Sequence, residues 1–185
     1  MKNILNLANY LTVSRIFAVP MIVVLLYFPS KATTILATVL FMLASLTDLL
    51  DGLVARRSGR VTTLGKFLDP LADKVLICSV LIMLVQLGWV PAWIAIVILC
   101  RELAVTGMRA VAAEKGDVIA ADRFGKLKTV LQSFALVPLL LHYPYFGLNV
   151  EGIGMGILYA ALVLTVFSGG NYLYGFYRNW LVGER

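Results

Sequence analysis

This sequence has little charge. Of its 185 residues only 14% are charged, against 61% hydrophobic, and mean hydropathy is +0.90. Ordinary soluble domains carry about 25% charged residues. The shortfall excludes a soluble globular protein, and the apolar content excludes disorder. A membrane-spanning helix needs about 20 apolar residues, so there is material for roughly six and little more. A large extramembrane domain or a separate nucleotide-binding domain is therefore excluded, and one membrane domain over residues 1–185 is expected. Cysteine is scarce too. Cys78 and Cys100 both sit in apolar runs, where they read as packing residues that say little about redox compartment. Internal repeats and low-complexity stretches are lacking. The first apolar run has no small-residue cleavage site and opens a series of similar runs, so no removable signal peptide is expected.

The charge that is present is mostly positive. Sixteen Lys and Arg against ten Asp and Glu give a net charge of +6. In so apolar a chain, loops facing an anionic leaflet account for that balance better than nucleic acid does. Apolar runs predict spans over about 16–28, 33–54, 68–87, 92–113, 127–142 and 153–167, the last continuing through Gly169-Gly170 into an aromatic tail. Met1 to Arg15 mixes apolar and polar residues and is expected to lie in the membrane interface. Pro20 is expected to kink the first span. Lys31 alone of the sixteen cations falls on one side of this arrangement. The bias predicts that both termini are cytoplasmic and that the number of spans is even. Tyr172, Tyr174, Phe176, Tyr177 and Trp180 read as an interfacial aromatic belt. The expected fold is thus an all-α integral membrane protein of six transmembrane helices with a short N-terminal interfacial segment.

Four of the ten acidic residues crowd between positions 48 and 73. Asp48 and Asp51 are three apart near the end of the second span. Asp69 and Asp73 are four apart at the start of the third. On helices both spacings place a pair on one face, and sequential antiparallel spans can bring the pairs together. A carboxylate at the membrane centre costs about 2.5–3.5 kcal/mol. Asp48 lies roughly two turns inside its span, so solvated helix caps explain the cluster poorly. Clustered carboxylates suit Mg²⁺ or Mn²⁺. Gly52 and Gly65 let another group approach the backbone closely, and Arg56 is placed to hold a phosphate.

Together these residues read Asp48-x2-Asp51-Gly52-x2-Ala55-Arg56-x8-Gly65-x3-Asp69-x3-Asp73. The pattern resembles the signature of the CDP-alcohol phosphatidyltransferase family at all eight fixed positions. The resemblance implies six transmembrane helices. It implies that Asp48, Asp51 and Asp69, with Asp73, bind two Mg²⁺ or Mn²⁺ ions that hold the pyrophosphate of a CDP-linked lipid. Asn9, Gly52, Arg56 and Thr62 would contact that lipid substrate, and Asp73 would be the general base. Physical chemistry agrees. An acceptor oxygen must attack a negatively charged phosphorus, which calls for cations and a nearby base.

The remaining cations bear on the acceptor. Arg101 lies deep enough in its span to be costly unless paired. Glu102 is its neighbour in sequence, but adjacent helical residues point apart. A phosphomonoester acceptor needs extra cations, while an uncharged polyol or an amino acid needs fewer. Arg101-Glu102-x6-Arg109, Gly125-Lys126-x-Lys128-Thr129 and Asn9-x2-Thr12-x2-Arg15 are similar to the phosphatidylglycerophosphate synthase branch of the family. That likeness implies transfer from CDP-diacylglycerol to sn-glycerol 3-phosphate, with Arg101, Arg109 and Lys126 on the acceptor phosphate. It also implies a homodimer among membrane lipids in the cytoplasmic (inner) membrane of a bacterium, with its active site facing the cytoplasm. The competing readings are a sister enzyme, such as a cardiolipin synthase or an inositol-phosphate transferase, and an ion or proton transporter.

Overall fold

A computed structural model describes residues 7–58, 63–114, 123–145 and 147–181. Side chains are described over 13–47, 71–112, 125, 127–145 and 147–178. The described residues form six α-helices: α1 (Leu7–Tyr27), α2 (Lys31–Ser58), α3 (Thr63–Gln86), α4 (Ala92–Glu114), α5 (Arg123–Leu141) and α6 (Val150–Leu181). This is an all-α architecture, as expected. Most of the helices outrun the apolar runs that predict them. α1 begins at Leu7 and continues through Pro20, so residues 7–15 are not a separate interfacial segment. α2 and α3 extend into the polar stretch between them, and α6 runs unbroken through Gly169-Gly170. Backbone hydrogen bonding in an apolar bundle favours continued helix over exposed irregular chain.

Short connections turn the chain back at one end. Ser30 caps α2 through a reciprocal pair of bonds: the Thr33 amide donates to Ser30 Oγ at 3.2 Å, and the Ser30 amide donates to Thr33 Oγ1 at 2.8 Å. This satisfies amides that a helix start leaves unpaired. Gly88 takes φ +74° in the α3–α4 turn, a left-handed conformation that glycine adopts without steric cost. Trp89 stacks on His142, ring centroids 3.8 Å apart, and ties that turn to the α5–α6 connection.

α6 packs most extensively on α5, and α1 lies against both α2 and α3. The core is aliphatic and close to this end: Ile22, Leu26, Phe41, Leu81, Leu84, Ile94, Leu136, Leu139 and Leu140 are all buried. The opposite half buries polar groups instead, among them Arg15, Lys128, Gln132, Thr165 and Ser168. Large apolar side chains point outward on every helix, including Phe17, Leu43, Ile82, Leu103, Phe134 and Val163. Soluble proteins rarely expose apolar surface so continuously. One described helix segment, Val150–Arg178, is long and apolar enough by itself to cross a bilayer.

The α5–α6 contact is closest at Gly154. A Cβ there would lie 2.7 Å from Leu139 Cγ and 3.0 Å from its backbone nitrogen. Gly154→Ala should therefore destabilise the protein by about 1–3 kcal/mol through overpacking. Gly156→Ala, whose Cβ would meet nothing within 4 Å, should be neutral or slightly stabilising. Thermal unfolding in detergent micelles checks the pair, and equal midpoints would contradict the close approach.

Candidate active site

The polar half of the bundle encloses a cavity of about 160 Å³ lined by α3, α4 and α5. α3 contributes Asp73 and Lys74. α4 contributes Arg101, Glu102, Thr106 and Arg109, and α5 contributes Lys128, Thr129 and Gln132. Helical spacing explains the grouping. Glu102, Thr106 and Arg109 recur at steps of four and three, as do Gly125, Lys128, Thr129 and Gln132, so each set faces one way. Four basic side chains thus meet two carboxylates in one small space.

Glu102 is the hub. Its carboxylate lies 3.3 Å from Arg101 Nη1 and also pairs with Lys128 Nζ. Adjacent helical residues were expected to diverge, yet both long side chains curl into the same cavity. The result supplies the compensation that a deeply placed arginine needs. Arg101 Nη2 donates to Ser168 Oγ of α6 at 2.6 Å. The Lys74 ammonium donates to Thr106 Oγ1, which in turn donates to the Glu102 carbonyl at 2.6 Å. Arg109 sits over the ring of Tyr172, 5.4 Å from its centroid, within cation–π range. At the cavity wall, Gln132 Nε2 donates to Thr165 Oγ1 at 3.1 Å, and the Thr165 hydroxyl donates to the Ala161 carbonyl at 2.6 Å.

Of the residues singled out in the sequence, the structure brings Asp73, Arg101 and Arg109 together in this cavity. Asp48, Asp51, Gly52 and Arg56 lie on α2, Asp69 on α3, Asn9 on α1 and Lys126 on α5, but their side chains fall outside the described residues. Thr62 lies wholly outside them. Among the described residues no three His, Cys, Asp or Glu side chains cluster as a metal site.

Several side chains take places the sequence reading missed. Lys74 and Lys128 are not among the acceptor contacts expected from the sequence, but both line the cavity, and Lys128 is almost wholly buried. Gln132, Ser168 and Tyr172 also stand at or beside the cavity and are not expected there from the sequence. Their signal was available: Lys128 and Gln132 are four apart, and Thr165, Ser168 and Tyr172 share one face of an otherwise apolar helix. Tyr172 is 8% exposed, so it belongs to the interior and not to an outer aromatic belt, whereas Tyr174 and Tyr177 do face outward. The cysteines also differ from expectation. Cys78 is half-buried beside the cavity and Cys100 is exposed, so neither is a core packing residue.

The chain is similar to known proteins over most of its length. The model of the CDP-alcohol phosphatidyltransferase family matches residues 5–167. The chain belongs to that family. It is 41% identical to a CDP-diacylglycerol–glycerol-3-phosphate 3-phosphatidyltransferase of Bacillus subtilis, over 95% of both chains. It is 40% identical to an enzyme of the same name from Rickettsia typhi, over 90% of this chain and 94% of that one. A probable phosphatidylglycerophosphate synthase of Mycobacterium tuberculosis is 41% identical over 92% of this chain and 81% of its own.

The Glu102–Lys128 pair yields a stability prediction. Removing one member leaves its partner charged and buried, at a cost of about 3–5 kcal/mol for a fully buried pair. Glu102 is one-fifth exposed, so Glu102→Gln should cost about 3 kcal/mol or less. Lys128→Gln should cost a similar amount. The double variant should be more stable than the two single losses added together. A double-mutant cycle on unfolding midpoints checks this, and strict additivity would mean that the pair does not interact.

Proposed function

We propose that the chain is an integral membrane enzyme of six spans, with its active site and both termini on the cytoplasmic side. It transfers the phosphatidyl group of CDP-diacylglycerol to sn-glycerol 3-phosphate, giving phosphatidylglycerophosphate and CMP. The observation that carries this reading is the cavity in which Asp73 faces Lys74, Arg101, Arg109 and Lys128. Relatives at about 40% identity bearing the enzyme's name support the same acceptor. The outward apolar side chains of all six helices support the membrane placement.

The cavity fits a phosphomonoester. Four basic groups, two of them guanidinium forks, exceed what an uncharged polyol needs. A guanidinium matches phosphate geometry in bidentate fashion. Arg101, Arg109 and Lys126 hold the phosphate of glycerol 3-phosphate, and Lys128 and Lys74 add to the positive field. Asn9, Gly52, Arg56 and Thr62 contact the CDP-lipid.

Asp48, Asp51 and Asp69, with Asp73, would hold two Mg²⁺ or Mn²⁺ ions. The donor set fits, because hard divalent cations prefer carboxylate oxygens and α2 and α3 carry the four acids in pairs at same-face spacing. Such ions supply charge neutralisation at the pyrophosphate. The chain's own part in the chemistry is the proton. The Asp73 carboxylate takes it from the acceptor hydroxyl. The hydroxyl oxygen then forms a new bond to the phosphatidyl phosphorus, and the bond from that phosphorus to the CMP oxygen breaks. The cations hold the acceptor so that this encounter is effectively intramolecular.

An acceptor panel tests the function. Purified protein with CDP-diacylglycerol and Mg²⁺ or Mn²⁺ should release CMP with glycerol 3-phosphate and not with inositol phosphate or phosphatidylglycerol. CMP release with either of the others alone would assign a sister enzyme, and none at all would remove the enzyme reading.

Two variants test the roles. Arg109→Ala should raise KM for glycerol 3-phosphate roughly ten- to a hundredfold, the worth of one charge-assisted contact, with KM for CDP-diacylglycerol little changed. Asp73→Asn should still bind CDP-diacylglycerol, but turnover should fall by roughly 10²–10⁴. The acidic limb of its pH–rate profile should vanish with the group that reports it. Loss of donor binding in Asp73→Asn would instead make this residue chiefly a ligand.

A further inference from the structure

Arg101 and Arg109 lie two turns apart on α4, and both are backed by a single strip of α6. Ser168 Oγ accepts from Arg101 Nη2 at 2.6 Å. One residue on, Gly169 leaves room for the arginine stem: a Cβ there would lie 2.9 Å from Arg101 Cγ and 3.4 Å from its Nε. One turn beyond Ser168, the Tyr172 ring lies under the Arg109 guanidinium. Tyr172 follows Ser168 by four residues and Gly169 by three, so it neighbours both on the helix surface, and all three are buried.

We propose that this strip of α6 is the positioning wall of the acceptor-phosphate site: Ser168 and Gly169 set the direction of Arg101, and Tyr172 sets that of Arg109. The inference rests on the reading of these arginines as phosphate ligands. The strip lies outside the cavity lining itself, so it acts on the acceptor only through α4.

The geometry explains why each residue type stands where it does. Arg101 has one guanidinium nitrogen on Ser168 and another on Glu102. Its Nε is buried and has no partner among the described residues. A head group held at two points cannot give way freely when its stem is pushed. The atom that a Cβ at position 169 would strike is Cγ, near the root of the side chain, so the displacement is carried to the guanidinium. Tyr172 offers its ring face, and its hydroxyl is buried with no partner among the described residues. The aromatic face is therefore the feature that matters at this position.

Steady-state kinetics of the purified enzyme in lipid–detergent micelles, with each substrate varied in turn, tests the wall. Gly169→Ala should raise KM for glycerol 3-phosphate by about tenfold or more, as small misplacements in a binding site do, while KM for CDP-diacylglycerol and kcat stay close to wild type. Ser168→Ala should raise it about two- to tenfold, and Ser168→Thr, which keeps the hydroxyl, should recover part of the loss. Tyr172→Leu should raise it about two- to fivefold, and Tyr172→Phe should reverse that change. Gly170→Ala, whose Cβ would meet nothing within 4 Å, is the neighbouring control and should behave as wild type.

In an Arg101→Ala background, Gly169→Ala should have no further effect on the acceptor constant, because its action passes through Arg101. A mere packing defect would persist in that background. The positioning role is overturned if Arg101→Ala and Arg109→Ala raise the acceptor KM but Ser168→Ala, Gly169→Ala and Tyr172→Leu do not. It is equally overturned if these α6 variants shift both substrates alike. If the arginine variants themselves leave the acceptor constant unmoved, the phosphate-ligand reading fails and the wall falls with it. Should Gly169→Ala not fold, the Ser168 and Tyr172 pairs decide the matter alone.

Discussion

Arg101 and Lys128 converge on one carboxylate, Glu102, inside a largely apolar bundle. An apolar interior tolerates a cation only when an anion and enough hydrogen-bonding groups surround it. Those groups come from different helices here: Glu102 from α4, Lys128 from α5 and Ser168 from α6. The requirement therefore fixes more than a side chain. It fixes which faces of α4, α5 and α6 meet and at what depth, because a rotated or shifted helix would strand a charge. The same cations line the cavity proposed to take the acceptor phosphate, so on that reading the constraint on folding and the geometry of the site coincide.

The rest of the bundle is arranged to leave that end free for polar groups. Among the described residues, the two glycines at positive φ, Gly88 and Gly147, and the Trp89–His142 stack belong to the other end, as does the buried aliphatic cluster. Stability can be drawn from apolar burial there at about 25 cal/mol per Å². The polar half then gathers its charged groups away from the described turns. Gly154 serves the same division, since it lets α6 approach α5 closely within the apolar half and sets the line along which α6 continues to Ser168, Gly169 and Tyr172.

Helix number, order and approximate limits were legible from the apolar runs, because each run is long enough to specify a helix and the breaks carry Pro, Gly or charge. The aspartate motif was legible because its spacing is specific. The cations were only half legible. A lysine that marks membrane topology and a lysine that lines a cavity look alike in sequence, and only the packing of α3, α4 and α5 sets Lys74 and Lys128 apart as cavity residues. The Arg101–Glu102 contact ran against a rule for neighbouring helical residues that holds for Cβ directions but not for the ends of long, flexible side chains. Ser168, Gly169 and Tyr172 carry no local signal beyond a shared helix face. Their part emerges only when α6 is laid against α4, which is a tertiary fact. The helix ends were misjudged for a simpler reason: hydropathy reports where apolar residues stop, while the helix stops where its backbone bonds can be satisfied otherwise.

On the proposed reading, an acceptor phosphate meets cations that are already gathered, with Lys128 buried and Arg101 held between Glu102 and Ser168. In a flexible, hydrated site those steps would be charged against binding, since ordering side chains and desolvating them both cost free energy. Here folding has met that cost, and Glu102 is the group that made it possible. The carboxylate keeps Arg101 and Lys128 side by side without a ligand, yet it uses one oxygen of a pair and leaves guanidinium donors unspent. A phosphomonoester, with more acceptor oxygens and more charge than a carboxylate, can engage the donors that Glu102 leaves over. Fixed dipoles and charges aimed at a site before the substrate arrives are the most effective form of electrostatic assistance. The internal ion pair is on this argument a template for the acceptor's phosphate as much as a device for keeping charges in an apolar bundle.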